Sequence, residues 1–346
     1  MILSVIVPVY NTPREFLEHC ISSIKDNLHF FLNEVEVLLI NDGSTKPYIQ
    51  EILKLAEKED PRFRYVYKPN SGVSNTRNLG IQMAQGNYIM FIDADDYLEP
   101  DAIRYMLNVA QARDEDMLMF GYCNDDDDVE RKELKRQFVV DKTVIWSLVS
   151  NCMESWCDYG TYLAYVWARL YKREALLRSG VLFLQDLSPL EDGFFNLCFL
   201  HETKCFYVDN RLVYHYVTNH ESAIHVFSDC YFRVAKNIIP RLDAFVDANY
   251  KDCPEFVTAV DLRVLTFVMI LKERYFTHPQ NTKSFWELKT EMHDFLSIPF
   301  IKKHIGNLRL SNVKKKNEKK NIILLKLRLY WIFLLTERRK RIARER

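Results

Sequence analysis

Within its first 120 residues the chain alternates continuously apolar runs with amphipathic stretches, joined by short polar connections. Residues 2–9, 35–40, 63–67, 88–92 and 117–121 have the length and the apolar content of buried strands. Between them, residues 14–25 place Phe16, Leu17, Cys20, Ile21 and Ile24 at helical spacing, and residues 49–59 repeat the pattern with Ile49, Ile52, Leu53 and Ala56. Residues 74–84 and 100–112 read as two further helices. A strand that is apolar on both faces has to be covered on both faces, and helical crossovers between parallel strands do this. The pattern therefore predicts an α/β fold with a mostly parallel sheet flanked by helices.

Such a sheet binds ligands beyond the carboxyl ends of its strands. Those ends read Pro8-Val9-Tyr10-Asn11, Asn41-Asp42-Gly43-Ser44, Asn70-Ser71-Gly72 and Asp93-Ala94-Asp95-Asp96. Tyr10 offers a flat ring on which a base could stack. Asp42 could accept a hydrogen bond from a base or ribose, although residues 41–45 also read as a helix-capping turn. The cluster at Asp93, Asp95 and Asp96 is harder to explain by structure alone. Three carboxylates converging at the end of a buried strand repel one another, and a divalent cation would relieve this. All-oxygen ligands suit Mn2+ or Mg2+, which could in turn bridge to a diphosphate.

Formal charge sums to zero over 346 residues, yet residues 314–346 hold thirteen Lys or Arg against three Asp or Glu. A basic tail thus follows an acidic body. Its apolar stretch, residues 322–335, carries Lys326 and Arg328 and is too short and too charged to span a bilayer. It suits the surface of an anionic membrane, or docking on the acidic body itself; no base-reading or stacking pattern accompanies it, which argues against nucleic acid. The eight cysteines form no C-x-x-C pair, which points to a reducing compartment, the cytoplasm. The N-terminal apolar run lacks a basic leader and reads as a strand. Asp125 to Asp128 read as a solvated loop.

Five segments, SVIVPVYN near the start, LLINDGST at 38–45, NSGVSNTRNLGIQMAQGNYIMFIDADDYLEPDAI at 70–103, VWARLYKREAL at 166–176 and PLEDGFF at 189–195, occur in this order. Together they resemble the bacterial family 2 glycosyltransferases over about residues 1–225. The resemblance implies a GT-A fold (Rossmann-like, mostly parallel sheet), residues 1–226, with a nucleotide-sugar half at 1–121 and an acceptor-side half at 122–226. A helical C-terminal region, 227–346, would follow. It implies an inverting transfer from a nucleotide diphosphate sugar, most often a UDP-sugar, to a glycan or polyprenyl-linked saccharide in surface polysaccharide synthesis, at the cytoplasmic face of the membrane.

Residue by residue, the resemblance places Pro8, Tyr10 and Asn11 around the nucleotide, Asp42 at the base, and Gly72 and Arg77 beside the ribose and diphosphate. Asp95 would be the principal ligand of Mn2+ or Mg2+, with Asp93 reaching the donor and the metal, and Asp96 orienting the loop or the donor sugar. Asp192 matches the catalytic base and Glu191 its support, although both also read as first-turn acids of a helix. Trp167 could face a sugar or pack in the core. His220 is a candidate metal or diphosphate contact, in competition with His215 and His225. Arg169 stands where the family usually has lysine. Two other functions stay open: a nucleotidyltransferase, which would want a Gly-rich basic loop after the first strand, and a silent glycan-binding scaffold, which would be expected to lose Asp95 or Asp192.

Overall fold

The structure, a computed structural model, describes residues 2–124, 133–150, 162–217, 229–313, 315–330 and 332–334. The chain divides into two compact units, one formed by residues 1–145 and 153–219, the other by 146–152 and 220–346.

The first unit is built on strands β1 (Leu3–Val9), β2 (Val35–Asp42), β3 (Phe63–Lys68), β4 (Tyr88–Phe91), β5 (Tyr97–Leu98), β6 (Met117–Asn124), β7 (Lys135–Val139), β8 (Arg169–Lys172) and β9 (Cys205–Tyr216). Helices α1 (Arg14–Asn27), α2 (Pro47–Glu59), α3 (Val73–Met83) and α4 (Ala102–Gln111) alternate with the first six strands; α5 (Lys142–Ser150), α6 (Arg173–Ser179) and α7 (Glu191–His201) follow. Alternation along β1 explains the layering. Leu3, Val5, Val7 and Val9 join a buried cluster with Leu17 and Ile24 of α1, Ile49 and Leu53 of α2, and Ile103 and Met106 of α4. Ile6 points the other way, against α3, where a side chain on Gly80 would come within 2.5 Å of it. Each such apolar side chain, once buried, contributes about 1.5–3 kcal/mol, so both faces of the sheet hold its helices.

The strand order is β3-β2-β1-β4-β8-β6-β9-β5, with β7 on β9. Here the expected mostly parallel, Rossmann-like GT-A sheet is corrected. The pairs β1–β2, β1–β4, β2–β3 and β6–β9 are parallel, but β4–β8, β6–β8, β5–β9 and β7–β9 are antiparallel. The sheet is mixed. Apolar periodicity identifies a strand without fixing the direction in which it pairs, and β8 enters antiparallel between β4 and β6.

The second unit is helical where described: α8 (Cys230–Asn249), α9 (Pro254–Leu271) running into a π-helical turn Lys272–Phe276, then α10 (Phe285–Ser297), α11 (Pro299–Asn307) and α12 (Lys316–Lys326). Pro254 opens α9, where its missing N–H costs nothing. Ser284 and Glu287 cap α10 reciprocally. A buried ionic cluster ties three helices: His304 of α11 meets Asp261 of α9 through Nδ1 at 2.7 Å and Asp243 of α8 through Nε2 at 3.0 Å. The apolar tail stretch packs within this unit. Ile322, Leu324, Leu325 and Phe333 are buried, Asn321 donates to Met269 Sδ at 3.3 Å, and Lys326 donates to the Gly306 carbonyl at 2.9 Å. Among the described residues no helix is long and apolar enough to cross a membrane.

Candidate donor and base site

The end of β4 turns sharply through the acidic cluster, with the Asp96 amide donating to the Asp93 carbonyl at 3.0 Å. Asp96 itself is buried, at 1% exposure. Its Oδ2 accepts from the Tyr214 hydroxyl at 2.5 Å and its Oδ1 from the Val217 amide at 2.8 Å. The Asp93 amide donates to the same Tyr214 oxygen at 3.2 Å. Asp96 therefore fastens the turn to β9, which leaves Asp93 and Asp95 half-buried beside one another. Burial, and then the charge of Asp93, push the Asp95 carboxyl up to about 6. Among the described residues Asp95 has no ion-pair partner, so its charge is uncompensated.

Arg77 answers Asp93. Carried on α3 and 3% exposed, it donates through Nη2 to Asp93 Oδ1 at 2.8 Å and through Nη1 to Asp192 Oδ1 at 2.7 Å and Glu191 Oε1 at 3.0 Å. Burial opposes its charge, but Asp192, Asp93 and Glu191 together raise its pKa. Glu191 and Asp192 occupy the first turn of α7, where the helix dipole favours acids. One guanidinium thus joins the acidic turn to the acidic pair. Burial pushes Asp192 up to about 8; Arg77 pulls it down, and Glu191 and Asp93 add to the rise. A carboxyl poised there can accept a proton near neutral pH. Glu191 Oε2 and Arg77 Nε remain buried without a hydrogen-bond partner among the described residues.

One turn along α7, Asn196 accepts from the Tyr171 hydroxyl at 2.7 Å and donates to the Leu163 and Tyr165 carbonyls, each at 2.7 Å. This fixes the segment leading to Trp167. Trp167 is 4% exposed and stacks on Tyr165 and Tyr214 at 4.5 and 5.0 Å, so the structure places it under the surface, with half-buried Tyr165 and Tyr216 above. Arg169 is buried below, with Nε and Nη1 unpartnered among the described residues.

At the end of β2, Asp42 is 3% exposed. Its carboxylate pairs with Lys68 and accepts from the Ser71 and Gly72 amides, each at 2.9 Å. It thereby clamps the loop that launches α3 and Arg77. Gly43, at φ +69°, lies so close to that loop that a Cβ would stand 2.6 Å from the Asn70 nitrogen. Asn11 Oδ1 accepts from the Thr45 amide at 2.9 Å, joining the first two strand ends. Tyr10 is 52% exposed, its ring open to a stacking partner, and Pro8 pairs in the β1–β2 ladder opposite Ile40.

Sequence reasoning missed Tyr214 as the holder of Asp96, Lys68 as the partner of Asp42, and Arg77 as the link between the two acidic groups. The first left a trace in Tyr214-His215-Tyr216, read for its histidine; the others left none, since each depends on approach across the fold. His215 meets Glu99 and Cys123. His220 and His225, like Asp125 to Asp128, lie outside the described residues. Among the described residues no group of three or more His, Cys, Asp or Glu converges as a metal site.

The sheet thus ends in an acidic turn that one arginine joins to the acidic pair opening α7. The family described as "Glycosyl transferase family 2" matches residues 4–178, half of the chain, and the chain belongs to it. The five motifs had implied this membership. The chain is 32% identical over 206 residues to the uncharacterized glycosyltransferase EpsJ of Bacillus subtilis (strain 168), covering 59% of this chain and 57% of EpsJ. It is 28% identical over 222 residues to the uncharacterized glycosyltransferase YibD of Escherichia coli (strain K12), covering 63% and 62%. In both cases it spans less than two thirds of the relative. Among solved structures, S. aureus TarS 1–349 in complex with UDP-GlcNAc superposes with a TM-score of 0.66 at 16% identity, covering 98% of this chain and 92% of that one. At that identity the likeness concerns the fold. It spans both units of the chain, the mixed-sheet unit and the helical one, and so accords with the correction made above to a mostly parallel GT-A sheet.

Proposed function

We propose that this glycosyltransferase moves a sugar, with inversion, from a UDP-sugar to a hydroxyl of a glycan or lipid-linked saccharide during surface polysaccharide synthesis. The observation that carries the reading is Arg77, which holds Asp93 of the acidic turn and the Glu191–Asp192 pair on one guanidinium. One side chain thereby gathers the carboxylate read as donor-side and the pair read as the base, the proximity that transfer by displacement requires. Asp192 takes the proton of the acceptor hydroxyl as that oxygen attacks the anomeric carbon from the side opposite the departing diphosphate. Glu191 shares Arg77 with it and keeps its carboxylate in place.

On the donor side, the exposed Tyr10 ring stacks on the base, and the loop clamped by Asp42 presents the start of α3 toward the phosphates. The uncompensated Asp95, with Asp93, fits a divalent cation, Mn2+ or Mg2+. Bound there, it would supply positive charge to the diphosphate as it leaves. Names among the relatives support the polymer class: 106 residues of the chain are 37% identical to the chondroitin synthase of Pasteurella multocida. We further propose peripheral attachment to an anionic membrane through the basic tail. Since Ile322, Leu324, Leu325, Phe333 and Leu334 are buried, attachment falls to lysines such as Lys315, Lys316 and Lys320, which are exposed.

The test is turnover of a panel of UDP-sugars with Mn2+ or Mg2+ and saccharide acceptors, following nucleotide release. UDP is expected; release of pyrophosphate instead would indicate a nucleotidyltransferase. If Asp95→Ala and Asp192→Ala both leave transfer at the wild-type rate, the site assignment is wrong.

A further inference from the structure

At Tyr214 and His215, β9 runs between β6 and β5. At position 215 the register sets Cys123 of β6 on one side and Tyr97 of β5 on the other. Cys123 Sγ lies 3.1 Å from His215 Nδ1, and His215 Nε2 lies 2.5 Å from Glu99 Oε1. Tyr97 stacks flat on the imidazole at 4.3 Å and 6°, and His19 stacks on Tyr97 in turn at 4.3 Å. The ring is therefore held in plane as well as by both nitrogens.

The donor and acceptor roles follow from the chemistry of the groups. An ionised carboxylate only accepts, so Nε2 carries the hydrogen given to Glu99, and Nδ1 turns its lone pair toward the thiol. In this tautomer the imidazole can take the sulfur's proton, and the imidazolium that results keeps its bond to Glu99. A nucleophile, a base and a carboxylate that orients the base form the arrangement that activates a thiol. Cys123 is half-buried, His215 is 15% exposed and Glu99 31%, so a small reagent has access. Nothing in the transfer reaction proposed above uses these residues: side chains alternate along β9, with Tyr214 and Tyr216 on the Trp167 side and His215 on the other face.

We propose that Cys123 is a reversible thiol-modification site that takes a low-molecular-weight disulfide of the glutathione type, with His215 as its base and Glu99 as the positioning residue. The Cys123 proton passes to His215 Nδ1 and the sulfur attacks one sulfur of the disulfide. The old S–S bond breaks and a mixed disulfide forms on Cys123. The departing thiolate collects the proton from Nδ1 and leaves as one small thiol. Cys123 is oxidised and half of the small disulfide is reduced, so the step needs no further reagent.

The test uses the full chain, incubated at neutral pH with oxidised glutathione and separately with iodoacetamide, and mapped by peptide mass spectrometry over time. Cys123 is expected to react at least about tenfold faster than Cys205, another half-buried thiol, with the glutathione adduct reversed by dithiothreitol. His215→Ala should bring Cys123 down to the Cys205 rate, and Glu99→Gln to a rate between the two. Equal rates at Cys123 and Cys205 in the unsubstituted chain would overturn the proposal, whatever the variants do. Because the readout is a mass change and not sugar transfer, it succeeds or fails independently of the transferase reading.

Discussion

Arg77 faces three carboxylates and neutralises only one charge, and the consequence appears at Asp192. Burial and its acidic neighbours push that carboxyl up to about 8, against the pull of Arg77. A base works deprotonated, so kcat/KM should climb as pH rises from about 6, pass its midpoint near 8 and level off above about 9, as the free enzyme's base titrates. Asp192→Asn should lower kcat by roughly 10²–10⁴ while the protein still binds the donor nucleotide. A profile flat between pH 6 and 9 would remove Asp192 from the base role. Arg77→Gln should push the inflection still higher, since it deletes the larger of the two arginine charges, with Arg169, that lower it. It should also destabilise the fold by about 3–5 kcal/mol, because buried carboxylates lose their partner.

Elements are joined in this protein by single polar side chains as much as by apolar contact. In the first unit Asn196 of α7 holds the segment that carries Trp167, and Tyr214 of β9 holds the turn after β4. In the second, His304 of α11 is fully buried between Asp243 of α8 and Asp261 of α9. Burial would lower its pKa, but the two carboxylates outweigh this and raise it to about 8, with Lys303 also near Asp243. The folded-state pKa lies above the unfolded one, so the stabilisation is complete below about 6.5 and is lost as pH rises through about 8. The shift corresponds to about 2 kcal/mol. Thermal unfolding of the helical unit should therefore move to lower temperature between pH 6 and pH 8.5, and His304→Gln should abolish the difference. An equal pH effect in that variant would assign the dependence to other groups.

For the whole molecule, the distribution of charge matters more than its sum. Residues 314–346 are strongly basic while the chain as a whole is neutral, so the remainder is acidic. The full chain should co-sediment with vesicles containing phosphatidylglycerol at low salt and come off at about 0.5 M salt, where screening is nearly complete. Replacing Lys315, Lys316, Lys319 and Lys320 by glutamate should weaken binding at every salt concentration. Binding that survives both salt and charge reversal would point to apolar insertion. That is the mode disfavoured by the burial of Ile322, Leu324, Leu325 and Phe333 within the unit.

The sequence by itself determined the four helices of residues 2–121 and every strand there but the short β5, the acidic turn at the end of β4, the acidic pair opening α7, and the membership of a glycosyltransferase family. These are local properties: apolar period and motif are each written within a short stretch of chain. Only the tertiary structure decided that β8 enters antiparallel and makes the sheet mixed, since strand direction depends on which distant neighbour pairs. The same holds for side chains separated by a hundred residues or more. Asp96 read as orienting either the loop or the donor sugar, and Tyr214 and Val217 on its oxygens tie it to the loop; Arg77 read as a neighbour of ribose and diphosphate, and the fold sets it on Glu191 and Asp192. A carboxylate or a guanidinium can satisfy a ligand or its own fold equally well, and only the approach of the partner says which.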